Sequence, residues 1–264
     1  MCFYRSTEYL ETGVMNTLKT LFRIFALMLL PLAASATGLK EDMIAFDRAY
    51  IPALSITNRV PQSADTQRAM ELMNAQWAIF RQKYMESQGG DRQWPSDMAK
   101  INGFIIAANR VVGTGKDFVK AHEELEGVRL TFLEMRERAR MPYYLDDLTR
   151  FHDPMEEMYI AAQGKSGDQL TDADVTLIKA AFPKAEKLWA VALKSQVDPA
   201  FMLTSGQKEQ QAKLMATETQ LLATLKQALA ANDRASIAKT AQAIRQPFAQ
   251  LYVSFGDFSA FAKK

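Results

Sequence analysis

Cysteine is nearly missing from this chain: among 264 residues the only one is Cys2. Histidine is almost as rare, with His122 and His152 alone. Glycine (12) and proline (9) are sparse, which argues against a many-stranded β fold and against disorder. Neither sign of charge prevails, since 32 Lys and Arg face 30 Asp and Glu, so no electrostatic footprint points to nucleic acid. Also absent are a G-x-S-x-G elbow, a phosphate-cradling glycine loop, a dinucleotide fingerprint and the Glu-x-x-His of di-iron bundles. No catalytic constellation remains, and the expectation is a binding or interaction protein rather than an enzyme.

The front of the chain carries an address. Lys19 and Arg23 lead into the apolar run from Ile24 to Ala33, followed by Ala34-Ser35-Ala36. A basic stretch, a greasy segment and an A-x-A end predict a secretory signal peptide cleaved after Ala36, with Met15 as the start and residues 1–14 as an over-extended beginning. The run is too short to span a bilayer, which takes about 20 residues. The expected location is the periplasm, with no membrane attachment after cleavage. Cys2 falls upstream of the cut. The mature chain is then thiol-free, which excludes disulfides, thiolate metal sites and thioether-linked haem.

Beyond residue 40 the apolar pattern is helical. Met70, Met73, Trp77, Phe80 and Tyr84 step by three and four, as do Phe118, Ala121, Leu125, Val128, Phe132 and Met135, and again Ile237, Ala241, Ile244, Phe248, Leu251 and Phe255. Such narrow stripes pack helices nearly parallel in bundles. Thr114-Gly-Lys-Asp117 and Thr171-Asp-Ala-Asp174 read as capping boxes, Ser96 after Pro95 as a third helix start, and Gly89-Gly90, Gly113 and Asn232-Asp233 as breaks. The fold expected is all-α, with eight helices over about 40–56, 65–87, 96–112, 116–140, 143–161, 172–196, 205–230 and 233–256. Trp77 and Trp189, Phe46-Asp47 and Phe151-His152, and Phe118 and Ile237 recur in the same order. This predicts a duplication into tandem four-helix modules, 38–141 and 142–264, with the seam at Arg138 to Pro142 and a ligand groove between modules.

Each histidine has a glutamate four residues on, Glu126 after His122 and Glu156 after His152. On a helix such pairs are either solvated ion pairs or half of a cation site. In a simple hairpin of the two helices the imidazoles stand roughly 13 Å apart along the axis, at about 1.5 Å per residue, too far to share one metal. An up-down bundle instead places His122 opposite Tyr50 and Asp47. Asp47, Tyr50, His122 and Glu126 therefore form one candidate site for copper or another divalent metal, weighed against a self-satisfied polar network. His152 with Met155 and Glu156 forms the other, because thioethers bind Cu(I); of the 14 methionines, Met70, Met73 and Met135 sit on core stripes as filler. Arg129, Arg136, Arg138 and Arg140 form a basic edge that either holds an anion or pairs with Asp146, Asp147, Glu156 and Glu157. Phe248, Tyr252, Phe255, Phe258 and Phe261 are expected to lock the last helix onto the core. The partner expected is an unidentified protein or small molecule.

An exported chain of amphipathic helices ending in Tyr252-Val-Ser-Phe-Gly256-Asp-Phe resembles the periplasmic four-helix bundles of the cytochrome c prime type. The resemblance implies a bundle in each module. That family attaches haem through C-x-x-C-H in its last helix, and residues 233–256 contain neither cysteine nor histidine. The related haem-b bundles hold haem non-covalently by a His/Met pair, for which His152 with Met155 or Met158 is the candidate here.

Overall fold

The computed structural model describes residues 31–57, 64–86, 88, 90–115 and 117–261, with the side chains of 31–37 outside the description. Residues 1–30, which carry most of the predicted leader, lie outside the described residues. Met1–Asp42 and Met43–Lys264 cluster as separate units, and the helix packing belongs to the second. Among the described residues there is no strand. The α-helices are α1 (Pro31–Thr57), α2 (Ala64–Tyr84), α3 (Trp94–Thr114), α4 (Phe118–Arg138), α5 (Tyr144–Ala162), α6 (Asp172–Ala192), α7 (Ser205–Ala231), α8 (Arg234–Ala243) and α9 (Arg245–Val253). No described helix is long and apolar enough to cross a membrane.

The expected boundaries hold closely, and the departures have local causes. Helix α1 starts at Pro31 rather than near 40, in an alanine-rich stretch that favours helix. Pro247 splits the last predicted helix. It has no N–H to give the Ala243 carbonyl, so the hydrogen-bond ladder breaks at Ile244, although that residue keeps helical dihedrals (φ −63°, ψ −29°). Thr171 forms the predicted capping box with Asp174. Thr114 does not start a helix but ends α3, because Gly115 takes the left-handed conformation (φ 65°) that closes it. Asp117 then caps α4 by accepting from the Lys120 amide. Ser96 is not a cap either, since α3 begins at Trp94 with Pro95 in its first turn. Gly113 lies inside α3 rather than at a break.

Two sets of helices build the molecule. In the first, Phe46 of α1, Trp77 and Phe80 of α2 and Phe132 of α4 form one aromatic core, with ring centroids 5.3–6.4 Å apart. Helix α3 lies along α4, where Phe104 rests against bare Gly127, and meets α2 through Trp77, whose indole N–H donates to Asn102 Oδ1 at 3.1 Å. In the second, Phe151 of α5 packs on Trp189 of α6 at 4.9 Å and on Phe248 of α9 at 5.5 Å. Helix α7 closes this set against α8 and α9. Phe46–Trp77 meet edge-on at 64° and 5.7 Å, whereas Phe151–Trp189 are tilted at 46° and 4.9 Å.

Met43–Lys264 cluster as one compact unit, and side-chain contacts cross the predicted seam at Arg138 to Pro142. Arg136 of α4 grips Asp146 of α5 through Nε and Nη2, at 2.6 to 3.1 Å, and lies 4.1 Å over the Tyr143 ring. Tyr143 in turn donates to Asp47 Oδ2 of α1 at 2.6 Å. Arg136 thus takes an acid of α5, as the basic edge predicts, whereas Arg138 turns away to Asp91 and Asp97. The C-terminal aromatics Phe248, Tyr252 and Phe255 are buried as expected. Beyond them, the Asp257 amide donates to the Arg48 carbonyl at 2.8 Å, the carbonyl that Pro52 leaves without its helical partner.

Candidate functional site

Helices α1 and α4 run antiparallel, as the Tyr50 hydroxyl donating to the Leu125 carbonyl (2.8 Å) and His122 Nδ1 meeting the Leu54 carbonyl (3.0 Å) establish. Helices α4 and α5 are antiparallel too, with Arg129 beside His152 and Arg136 beside Asp146. Where α1 and α4 face α5 and α9, a cavity of about 100 Å³ opens between the two helix sets. Its apolar wall includes Ile51, Leu54, Met155, Phe248 and Val253, and its polar wall His122, Glu126, Arg129, His152, Glu156 and Arg245. Three of the four wall helices carry a proline beside the cavity: Pro52, Pro154 and Pro247.

The six polar side chains form one line. His122 Nε2 lies 3.5 Å from Glu126 Oε1, and Glu126 Oε2 receives Arg129. Arg129 Nη2 is 3.3 Å from His152 Nδ1, His152 Nε2 is 3.7 Å from Glu156 Oε2, and that oxygen is 3.6 Å from Arg245 Nε. Arg129 is 5% exposed and stacks over the Tyr252 ring, while Arg245 sits half-exposed over Tyr159.

Hydrogen-bond chemistry fixes the rings. A guanidinium only donates, so His152 Nδ1 accepts and its proton sits on Nε2, toward Glu156. Burial first, then the positive field of Arg129 and Arg245, holds the His152 pKa down to about 3, and the ring stays neutral. A carbonyl only accepts, so His122 donates from Nδ1 to Leu54 and turns Nε2 to Glu126. Two buried atoms of this line have no hydrogen-bond partner among the described residues: Arg129 Nε, a donor, and Glu156 Oε2, an acceptor.

These positions redraw the sequence expectation. The hairpin register is as expected, yet both imidazoles line one cavity, because Glu126 and Arg129 bridge the axial offset with long side chains. The first candidate set does not assemble. Relative to α1, α4 sits one turn further along than expected, so His122 meets Leu54 rather than Tyr50. Tyr50 is instead spent on the Leu125 carbonyl, and Asp47 belongs to the Arg136–Tyr143 cluster, where burial raises its pKa to about 6 against the pull of Arg136. His122, Glu126, His152, Met155 and Glu156 come together. Among the described residues no three or more His, Cys, Asp or Glu are grouped to hold a metal ion. Haem does not fit: α8 and α9 contain no cysteine or histidine, His152 and Met155 share one helix, and drug-sized ligands already occupy roughly 300 Å³ or more.

Sequence reasoning missed Arg245, Phe248 and Tyr252 as cavity residues, since only the tertiary fold brings α9 to α4. Arg129 was legible, three residues after Glu126 and seven after His122 on one helical face. Comparison of the chain with protein-family models, with curated proteins and with solved structures gives no match.

Proposed function

We propose that this chain is an exported, periplasmic helical-bundle binding protein whose ligand seat is the cavity between α1/α4 and α5/α9, and that it binds rather than catalyses. The observation carrying this reading is the line of six ionisable side chains, drawn from three helices, along a cavity whose lining also includes Ile51, Leu54, Met155, Phe248 and Val253. Concave apolar pockets with a few convergent polar groups are the usual form of small-ligand sites. Export is supported by the leader pattern from Lys19 to Ala36. The test is expression of the full chain in a Gram-negative host, followed by fractionation and intact mass. A periplasmic product beginning at Thr37 is expected, carrying a small molecule in native mass spectrometry that is lost in Ala249→Phe, which plugs the cavity. A cytoplasmic, uncleaved product refutes export, and the same adduct, or none, above the chain mass in both wild type and variant refutes the ligand seat.

A second reading, handling of copper or another divalent metal, is favoured by His122. Its Nδ1 is tied to a backbone carbonyl, as in metal-ligating histidines, and Nε2 is aimed at a carboxylate. Against it, a dication there sits beside Arg129 and Arg245. Stoichiometric Cu or Zn lost in His122→Ala is the result that would carry it.

A further inference from the structure

We propose that the ligand of this cavity is a small zwitterion, an α-amino acid with a compact apolar side chain; the inference rests on the ligand-seat reading above. Three independent features select this class.

The first is charge balance. Among the carboxylates and guanidiniums of the lining, Glu126 and Glu156 match Arg129 and Arg245 in number, and His152 is neutral beside them. A net anion meets two carboxylates in this half-buried site and a net cation meets two guanidiniums. A molecule with one charge of each sign leaves the balance unchanged, and each charge gains a partner.

The second is the inventory of orphaned atoms. The wall has one buried donor without a partner, Arg129 Nε–H, and one buried acceptor without a partner, Glu156 Oε2, among the described residues. Buried polar atoms left in this state are costly and call for a complement. A carboxylate serves Arg129, and an ammonium serves Glu156, which stands between His152 and Arg245 along the line. The spacing around Glu156 leaves room for this: its nearest N–H groups, on His152 and Arg245, stand back at 3.7 and 3.6 Å, outside hydrogen-bond range.

The third is size and lining. About 100 Å³ accommodates a molecule equal in bulk to several waters. Leu54, Met155 and Phe248 offer apolar surface within the same cavity as the charges. Half-exposed Arg245 marks the open side, through which a ligand enters.

The experiment is calorimetric titration of the mature, ligand-stripped chain with L-alanine and L-valine. It is paired with isovalerate, which is valine without its amine, and isobutylamine, which is valine without its carboxylate. The amino acids are expected to bind, and each half-molecule to bind at least about tenfold more weakly, since each loses a charge-assisted hydrogen bond. Glu156→Gln and, independently, the solvent-facing Arg245→Gln are expected to weaken L-valine by about tenfold or more. Glu218→Met, remote from the cavity, leaves binding unchanged. Isovalerate or isobutylamine binding as tightly as L-valine, or L-valine indifferent to both variants, overturns the zwitterion. So does failure of both amino acids to bind. In that event a co-purifying compound displaced by Ala249→Phe keeps the ligand seat with a different guest, and its absence removes both readings.

Discussion

Glu218 occupies a stripe position of α7 between Leu214 and Leu222, is fully buried, and has no hydrogen-bond partner for either carboxyl oxygen among the described residues. Burial alone pushes its pKa up to about 8. The native chain keeps this proton up to about pH 8, while the unfolded chain releases it near 4.5, so stability falls as pH rises through that window. Glu218→Met should therefore raise the unfolding free energy at pH 8 by on the order of 3 kcal/mol and flatten its decline from pH 4.5 to 8 in urea titrations. His152 works in the opposite sense. Its depressed pKa means that stability present above 6.5 is lost as pH falls toward 3, when the buried ring is forced to charge. Neither behaviour was legible in the sequence, where Glu218 is one more acid on a long helix and the shift of His152 comes from its burial first and then from Arg129 and Arg245, which only the tertiary fold brings to it.

At the scale of the helix, much could be read directly. Steps of three and four placed the rods, and threonine with an acid three residues on placed the start of α6. The same pattern at Thr114 misled because a glycine immediately after it, in a left-handed turn, makes that threonine an end and not a beginning. Register between rods was not legible. A shift of one turn between α1 and α4 took Asp47 and Tyr50 out of the expected metal site and gave them to other partners. Close backbone approach is equally invisible in sequence. Gly167, between α5 and α6, faces the first turn of α8, where a Cβ would stand 2.6 Å from the Ala235 N and Cα. Gly167→Ala should therefore cost about 1–3 kcal/mol, read as a lower denaturation midpoint with secondary structure retained.

Across the whole molecule, Arg136 joins α1, α4 and α5: it holds Asp146, covers Tyr143 and lies 3.9 Å from Asp47. Removing one side of such a buried pair strands the other. Arg136→Met should lower stability by about 3–5 kcal/mol, and adding Asp146→Leu should recover part of the loss, both measurable by urea unfolding of the two variants. The basic edge of α4 was visible in the sequence, but its division of labour was not: Arg129 serves the cavity, Arg136 the junction and Arg138 the α2–α3 side. The cavity walls divide in a similar way. A rod with a missing rung flexes there without severing further bonds, and Pro52, Pro154 and Pro247 each remove a rung beside the hollow. Only α4, which supplies His122, Glu126 and Arg129, is an unbroken stave. A guest of awkward shape is therefore met by three interrupted staves and one continuous one, and the charges that judge it are shared between them, Glu126 and Arg129 on the continuous stave and Glu156 and Arg245 on the others.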